Sequence, residues 1–457
     1  MVGDNINKHK YLYLLIFPLF IFVLTICLAF SEPKELSSNT LNATVISSDS
    51  STITVRDAND LIYTFNATDS TYGVGEDLII EYTGLLNKNK DLQDSSIINI
   101  LPVSQDEEDS SKTSVKNLFS QFDTLATNKL KEMTLDEKIG QILLVRYNAT
   151  DHEEALNTYK VGGFIFFEDA FQDKTKSEVQ NMISNLQKNS HIPLLTATDE
   201  EGGSVVRISN NKNLAPNKFL SPRELYLEGG FPLIKTDTEN KSELLSLLGL
   251  NINLAPVIDV STNSSDYIYN RSLGEEKDLT SIYAKTVIEA SKGYNVSYVL
   301  KHFPGYGNNE DTHQGKVIDD RSLADLKEND IPPFESGIAS GAEAILVSHN
   351  IVKSIDADNP ASLSASMHNF LRNDLNFTGI IMTDDLSMQA LSSIEKPATK
   401  ALLAGNDIII TTNYKESFED IKQSLEEKKL SESLIDTTVH KILTWKYAKG
   451  LMYEYQK

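Results

Sequence analysis

The sequence predicts an α/β protein whose larger part is a (β/α)8 barrel of the TIM type, preceded by a small all-β module and an N-terminal transmembrane segment. Eight short apolar segments recur between residues 141 and 412, and the stretches between them carry apolar residues at helical spacing. Such strands alternating with helices are typical of a parallel sheet that is covered on its outer face. Eight strands close a sheet of this kind into a barrel. A doubly wound open sheet is the alternative, but no G-x-G-x-x-G motif follows a first strand.

The composition is that of an acidic globular protein. The 457 residues include 65 Asp and Glu against 42 Lys and Arg, and the formal net charge is −23. This balance argues against a nucleic-acid-binding protein, because phosphate contacts depend on clustered Lys and Arg. The single cysteine, Cys27, excludes an intrachain disulfide and a zinc site built from cysteines.

Residues 11–30 form an uncharged apolar run that is long enough to span the roughly 30 Å hydrocarbon core of a bilayer. Lys8 and Lys10 precede this run, so the positive-inside rule places the N-terminus in the cytoplasm and the rest of the chain outside. We therefore expect a single-pass membrane protein with its barrel on the extracellular side and residues 1–35 as cytoplasmic stub and anchor. Two alternatives stay open: cleavage of the segment as a signal peptide followed by secretion, and lipidation at Cys27.

Residues 36–103 show the pattern of a small antiparallel β module. Four alternating segments, at 52–55, 61–65, 78–82 and 97–101, are separated by turn-forming stretches such as DAND and GVGED. Nothing in this region suggests catalysis, and we interpret it as a spacer or a module that contacts the cell wall. Residues 104–114, SQDEEDSSKTS, are polar and acidic and indicate a flexible linker. The predicted barrel domain therefore occupies residues 115–457.

The eight predicted barrel strands carry polar residues where they end. In chain order the strands are at 141–147, 162–168, 193–199, 252–260, 296–303, 344–350, 379–385 and 407–412. The polar residues at or just after their ends are Asp199, Glu200, Asp259, Lys301, His302, His349, Asp384 and Asp385. Barrel enzymes place their chemistry at the carboxyl ends of the strands, so this pattern predicts an active site there.

The segment KHFPGYGNNEDTHQ at 301–314 contains the most informative motif. Here the sequence resembles the family 3 glycoside hydrolases, in particular the β-N-acetylglucosaminidase branch, whose signature reads KHFPGHG followed by a D-S-H or D-T-H loop. The resemblance extends from 133 to 450 and includes TDEEGGSVVR at 198–207, NLAPVIDV at 253–260, YNRSLG at 269–274, IIMTDDLSM at 380–388 and ALLAGNDIII at 401–410. Tyr306 stands where the signature has a histidine, and we expect it to alter loop packing or a subsite rather than the chemistry.

The resemblance implies a retaining glycosidase with two catalytic groups. Asp384, in the motif T-D-D, corresponds to the nucleophile, and Asp311 and His313 correspond to the dyad whose imidazole serves as general acid and base. Few residues follow the eighth strand, so we expect the proton donor to come from a barrel loop rather than from a second domain. Gly and Asn residues in this loop suggest a lid that delivers His313 when substrate binds.

The resemblance also implies a set of sugar-binding residues: Asp199, Arg207, Arg271, Lys301 and His302. Asp199 corresponds to the carboxylate that binds sugar hydroxyls, and the other four correspond to donors around the N-acetylglucosamine unit. The predicted reaction releases terminal β-linked N-acetylglucosamine from peptidoglycan fragments through a covalent glycosyl-enzyme, and neither a metal nor an organic cofactor is implied. The sequence contains no signal for an oligomeric state.

Four other functions stay open at this point. A metal-dependent hydrolase would use imidazole and carboxylate ligands, but the first strand lacks paired histidines and no H-x-x-x-H helix is present. A non-catalytic wall-binding protein would not need Asp384 or the pair of Asp311 and His313, so their presence argues against this function. A phosphorylase on the same scaffold is favoured by a neutral histidine, which repels phosphate less than a carboxylate does. A related β-glycosidase would act on a different sugar.

Overall fold

The computed structural model describes residues 39–48, 52–57, 62–66, 77–83, 96–102 and 118–452. They belong to two compact units, one within Met1–Lys112 and the other within Thr113–Lys457. The predicted transmembrane segment at 11–30, Cys27 and the predicted linker at 104–114 lie outside the described residues. Among the helices in the described ranges, none combines the length and the apolar character that crossing a bilayer requires.

The smaller unit contains a five-stranded antiparallel sheet. Its strands are β1 (Asn39–Ser48), β2 (Thr52–Asp57), β3 (Ile62–Asn66), β4 (Asp77–Thr83) and β5 (Ser96–Pro102), in the order β3-β2-β1-β4-β5. Ile53 and Val55 alternate with more exposed neighbours and, with Phe65, face a core that belongs to this unit. Strand β1 has no counterpart among the four predicted segments, because its Asn, Thr and Ser residues obscure the alternation of apolar side chains.

The larger unit is built on a parallel sheet. Its strands are β6 (Leu143–Arg146), β7 (Gly163–Phe166), β8 (Leu195–Thr198), β9 (Ile252–Asn253), β10 (Ser297–Phe303), β11 (Ile318–Asp319), β12 (Ala344–Val347), β13 (Ile351–Val352), β14 (Ile380–Thr383) and β15 (Ile409–Thr411). Strands β11 and β13 pair separately, and the other eight follow the order β14-β12-β10-β9-β8-β7-β6-β15. A parallel bridge between Met382 and Ile408 joins β14 to β15, so the sheet is nearly closed. Each predicted barrel segment contains one of these eight strands, which confirms the α/β architecture.

Helices connect the barrel strands. Their bounds are Asp123–Glu132, Leu135–Ile142, His152–Asn157, Glu168–Phe171, Lys176–Asn189, Pro222–Leu248, Lys277–Ser291, Leu323–Asn329, Ile331–Ala339, Ala365–Asn369, Pro397–Ala404, Tyr414–Glu426 and Glu432–Ala448, with shorter helical turns at Ser120–Phe122, Ala361–Leu363, Phe370–Asp374 and Gln389–Leu391. Capping boxes begin several of them. Thr175, for example, accepts the N–H of Glu178, whose carboxylate accepts the N–H of Thr175. The longest helix is broken at Gly230, where φ is 62°.

The amino ends of the first three barrel strands are closed by a buried lysine from the last helix. Lys446 Nζ donates hydrogen bonds to Gln141 Oε1 at 2.6 Å, to the carbonyl of Gly162 at 2.9 Å and to the carbonyl of Pro193 at 2.7 Å. These acceptors precede β6, β7 and β8. Burial among neutral groups lowers the pKa of Lys446 to about 7. Lys446 thereby joins the last helix to the amino ends of these three strands.

Candidate active site

A cavity of about 660 Å³ is lined by residues at the carboxyl ends of all eight barrel strands. Seven of the eight residues predicted for the site line it: Asp199, Arg207, Arg271, Lys301, His302, His313 and Asp384. The eighth, Asp311, contacts the ring of His313. Residues that are far apart in the chain meet here because the carboxyl ends of parallel strands share one edge of the barrel.

Two carboxylates and two cations form an ion network in the cavity. Lys301 Nζ lies 2.8 Å from Asp199 Oδ1 and 2.7 Å from Glu201 Oε1. Arg271 binds Glu201 through two hydrogen bonds, from Nη2 to Oε1 at 2.8 Å and from Nε to Oε2 at 3.0 Å. Burial raises the pKa of Glu201, but the charges of Arg271 and Lys301 outweigh this effect and hold that pKa far below its usual value. The network therefore keeps Glu201 ionised and both cations in place.

Arg207 reaches the same network from the loop after β8. Its Nη2 lies 3.7 Å from Asp199 Oδ2, and its guanidinium lies over the ring of Phe167, 4.9 Å from the centroid. The backbone N–H of Arg207 donates to Glu200 Oε2 at 2.8 Å, so the buried Glu200 carboxylate holds this loop. Arg207 Nε is buried and has no hydrogen-bond partner among the described residues. The rest of the Arg207 side chain lines the cavity.

His302, in β10, is oriented by a buried carboxylate. Its Nδ1 lies 2.8 Å from Asp259 Oδ2, and its Nε2 lies 3.3 Å from Arg271 Nη2. A carboxylate only accepts and a guanidinium only donates, so this arrangement requires the proton on Nδ1 and leaves Nε2 as the acceptor. Asp259 also accepts the backbone N–H of His302 at 3.1 Å and that of Tyr306 at 2.7 Å. Asp259 therefore fixes the ring together with the start of the following loop.

Asp384 lies directly after β14 and lines the cavity. Its Oδ1 accepts the backbone N–H of Asp385 at 2.8 Å, while Oδ2 accepts no hydrogen bond from the described residues. Burial raises the pKa of Asp384, but the imidazoles of His349, His302 and His313 outweigh this effect and lower it. Asp384 is therefore ionised at neutral pH and has one oxygen unshared.

The other carboxylates that line the cavity have partners for both oxygens. Asp199 and Glu201 pair with cations in the network described above. Asp385 accepts the N–H of Thr412 on Oδ1 at 3.1 Å and its hydroxyl on Oδ2 at 2.7 Å. Within the described part of the chain, Asp384 is thus the only lining carboxylate with an oxygen free to approach a substrate carbon.

His313 lies on the loop after β10, with 59% of its side chain exposed. Its Nδ1 lies 2.7 Å from Asp311 Oδ1, which also accepts the backbone N–H of His313 at 2.9 Å. Because a carboxylate only accepts, Nδ1 carries a proton, and Nε2, which has no partner in the described ranges, is free to exchange one. Burial raises the pKa of Asp311, but the hydrogen bonds from His313, together with the nearby Tyr267 hydroxyl, outweigh this effect and lower that pKa. The dyad therefore pairs an ionised carboxylate with an accessible imidazole.

Residues 134–445 match the family described as Glycosyl hydrolase family 3 N terminal domain. The chain belongs to glycosyl hydrolase family 3. The resemblance seen in the motifs is confirmed, and with it the prediction of a glycoside hydrolase.

Individual relatives agree with this assignment. Over 325 residues the family 3 chain is 28% identical to beta-hexosaminidase LpqI of Mycobacterium tuberculosis, an alignment that covers 68% of this chain and 82% of the relative. Over 273 residues it is 30% identical to a beta-hexosaminidase of Nitrosomonas eutropha, covering 58% of this chain and 78% of the relative. A solved glycoside hydrolase family 3 beta-N-acetylglucosaminidase from Paenibacillus sp. str. FPU-7 superposes with a TM-score of 0.66 at 26% identity, covering 71% of this chain and 64% of that chain.

The sequence motifs assign no role to some residues of the cavity. Glu201 follows Asp199 by two positions, a spacing that places two side chains on one face of an extended segment and so could indicate a shared site. Tyr267 lies in a loop and carried no such signal. Its hydroxyl accepts a hydrogen bond from Arg271 Nη1 at 3.0 Å, and burial raises its pKa to about 12. The same hydroxyl helps to lower the pKa of Asp311, so Tyr267 lies between the ion network and the pair of Asp311 and His313.

His349 lies just after β12, and the sequence motifs assign it no role. Its Nε2 lies 3.1 Å from the carbonyl of Asp385 and its Nδ1 2.7 Å from the hydroxyl of Ser362. The carbonyl only accepts, so the proton is on Nε2. Burial lowers the pKa of His349, although the nearby Asp384 carboxylate opposes this effect. Among the described residues, no group of three or more His, Cys, Asp or Glu is arranged to hold a metal ion.

Proposed function

We propose that the chain is a retaining β-N-acetylhexosaminidase that releases terminal β-linked N-acetylglucosamine from peptidoglycan fragments. Membership of family 3 supports the hydrolase class, and the two sequence relatives are named beta-hexosaminidases. The observation that carries the proposal is that Asp384, with its unshared oxygen, and His313, with its free Nε2, line one cavity. Retaining hydrolysis requires these two groups, a nucleophile and a proton donor.

In the first step Asp384 attacks the anomeric carbon and the bond from that carbon to the leaving oxygen breaks. His313, protonated on both ring nitrogens, gives its Nε2 proton to the leaving oxygen, so the aglycone departs as a neutral alcohol. Asp311 accepts the hydrogen bond from Nδ1 and stabilises the imidazolium before the transfer. The step leaves a glycosyl ester on Asp384 and a neutral imidazole.

In the second step the imidazole acts as a base. Nε2 of His313 takes a proton from water as the water oxygen attacks the anomeric carbon, and the carboxylate of Asp384 leaves. Each step inverts the configuration at that carbon, so the released sugar has the configuration of the substrate. His313 ends the cycle protonated and ready to act as an acid again.

The ion network supports recognition of the sugar. Lys301 uses two of its three N–H groups on Asp199 and Glu201, which leaves one for a ligand, and the guanidinium of Arg207 lines the same cavity. These donors are held in place before substrate binds, so little ordering is needed. A sugar that lacks matching acceptors would leave buried donors unpaired, which costs binding free energy. We therefore expect an N-acetylglucosaminide to be preferred over a glucoside.

We also propose that residues 11–30 anchor the protein in the membrane with the barrel outside the cell. The uncharged run and the lysines before it support this orientation. The full-length protein should then sediment with membranes, and protease added to intact cells should remove the barrel. A soluble product that begins near residue 30 would instead show that the segment is a cleaved signal peptide.

The catalytic roles are tested with aryl β-N-acetylglucosaminides that have a good and a poor leaving group. Asp384→Ala should abolish turnover of both, because the nucleophile is lost. His313→Ala should lower turnover of the poor substrate by about a hundredfold and that of the good one much less, and glycosyl-enzyme should accumulate as a mass increase. His191→Ala is the matched control, since His191 is also exposed and its Nδ1 also contacts a carboxylate, that of Glu137, away from the cavity.

Other substrates and additives distinguish the alternative functions. Faster turnover of an aryl β-glucoside would indicate a different β-glycosidase. Phosphate-dependent turnover that releases a sugar 1-phosphate would indicate a phosphorylase, and loss of activity in EDTA would indicate a metal-dependent hydrolase. Binding to cell-wall material without turnover of any glycoside would indicate a non-catalytic wall-binding protein.

A further inference from the structure

Tyr306 occupies the position at which the chain departs from the KHFPGHG signature. Its ring is fully buried and does not line the cavity. The ring packs edge-on against His302, with a centroid distance of 5.1 Å and an interplanar angle of 87°, and against Tyr267 at 5.7 Å and 63°. Tyr306 thus supports two residues that do line the cavity.

The hydroxyl of Tyr306 reaches the loop that carries the dyad. It lies 2.5 Å from Oγ1 of Thr312, which is also fully buried. In the chain Thr312 lies between Asp311 and His313, and its carbonyl accepts the backbone N–H of Ala390 at 3.3 Å. Thr312 is therefore held from two sides, although the neighbouring side chain of His313 is largely exposed.

A second tyrosine acts on the other residue of the dyad. The Tyr267 hydroxyl accepts a hydrogen bond from Arg271 Nη1, and it lies close enough to Asp311 to help lower the pKa of that carboxyl. Tyr267 therefore acts on a side chain of the dyad, whereas the hydrogen bond of Tyr306 acts on the residue whose backbone joins Asp311 to His313. Because the Tyr306 hydroxyl and the N–H of Ala390 both bind Thr312, the position of His313 in the structure does not depend on the single contact between its ring and Asp311.

We propose that Tyr306 is a positioning residue for the proton donor: its hydroxyl holds Thr312 and thereby fixes the backbone that carries Asp311 and His313 at the cavity. This inference rests on the proposed role of His313 as general acid and base. Proton transfer requires Nε2 of His313 within hydrogen-bond reach of the leaving oxygen, and a misplacement of about 1 Å can cost a large factor in rate. Loss of the Tyr306 hydroxyl should therefore reduce acid catalysis while the cavity keeps its lining.

Two substitutions remove this hydrogen bond from opposite sides. Tyr306→Phe keeps the ring and Thr312→Val keeps the shape of the side chain. We expect each to lower kcat/KM by about tenfold for an aryl β-N-acetylglucosaminide with a poor leaving group and by less than about threefold for the dinitrophenyl glycoside, because only the poor leaving group needs the proton. The double variant should be no worse than the more impaired single variant, because both act on one interaction. Thr312→Ser, which retains the hydroxyl, should restore most of the activity.

Tyr298→Phe is the matched control. Tyr298 is buried, and its hydroxyl lies 3.1 Å from Ser242 Oγ, away from the cavity. The substitution removes the same group and should show no dependence on the leaving group, and thermal unfolding should confirm that all variants are folded. If Tyr306→Phe does not fold, the comparison of Thr312→Val with Thr312→Ser decides.

The result that overturns the inference is an equal loss on both substrates, or no loss, in Tyr306→Phe and Thr312→Val. His313→Ala, measured beside them, separates the two hypotheses. If His313→Ala also affects both substrates equally, the proposed acid and base role fails. If His313→Ala depends on the leaving group and Tyr306→Phe does not, only the positioning role fails, and Tyr306 serves packing alone.

Discussion

Replacement of Glu201 by glutamine tests the ion network, because it keeps the shape of the side chain and removes the charge. Glu201 makes two hydrogen bonds with Arg271 and one ion pair with Lys301. After the substitution Lys301 keeps Asp199 as a partner, whereas Arg271 loses the only carboxylate that pairs with it among the described residues. The variant therefore contains one largely buried guanidinium without a counter-charge.

The size of the effect follows from these contacts. Two unit charges about 4 Å apart interact by about 4 kcal/mol at an effective dielectric constant of 20. Removal of one partner of a buried pair typically costs about 3–5 kcal/mol. The glutamine oxygen can still accept one of the hydrogen bonds, so we expect the lower end, a loss of about 3 kcal/mol. With a urea dependence of about 3 kcal/mol per M, the unfolding midpoint falls by about 1 M.

Urea unfolding and steady-state kinetics measure the two consequences. Trp445 is the only tryptophan and is fully buried, so its fluorescence follows unfolding of the barrel unit. For an aryl β-N-acetylglucosaminide we expect KM to rise about tenfold with kcat nearly unchanged, because Arg271 and Lys301 repel each other once the carboxylate between them is gone. Glu154→Gln, at an exposed pair with Lys415, is the control and should change neither quantity. An unchanged midpoint and KM in Glu201→Gln would refute this account of the network.

Three other measurements have defined expectations. The pKa of Asp384 is lowered from 3.8, so the acid limb of kcat/KM that belongs to this carboxylate should lie below pH 3.8, and a limb near about pH 5 would contradict this lowering. Gly307 has a φ of 54°, and a Cβ there would lie 2.2 Å from Arg321 Nη1, so Gly307→Ala should lower the unfolding free energy by about 2 kcal/mol. Gly315→Ala is the control and should be neutral, because a Cβ there would have nothing within 4 Å. Equal urea midpoints for the two variants would contradict this strain. Burial lowers the pKa of Lys446 from 10.5 to about 7, so between these pH values the unfolded chain binds more protons than the folded chain, and the unfolding free energy should rise with pH. Urea unfolding at several pH values should show that the unfolding free energy rises less steeply with pH in Lys446→Met.

The sequence by itself determined the eight barrel strands and identified most of the polar residues that line the cavity. Parallel strands that are buried on both faces consist of apolar runs, and every predicted segment accordingly contains a strand. Polar residues at the strand ends lie close together because those ends share one edge of the barrel. The segment at 252–260 shows the limit of this reasoning. Only Ile252–Asn253 is a strand, and Val257 returns to the sheet in a single bridge with Lys301. An apolar run indicates that its residues are buried, and most residues of this segment stay buried after regular strand pairing has ended.

Only the tertiary structure decided which polar groups pair with one another. Glu201 lies 70 residues from Arg271 in the chain, and no local pattern specifies that its carboxylate, rather than that of Asp199, accepts both guanidinium hydrogen bonds. The contact of Tyr306 with Thr312 likewise depends on how a glycine-containing loop folds back on itself. Strand and helix periodicity is encoded by neighbours in sequence, whereas loop conformation and the partner of each buried charge are selected by packing and by the requirement that buried polar groups be satisfied.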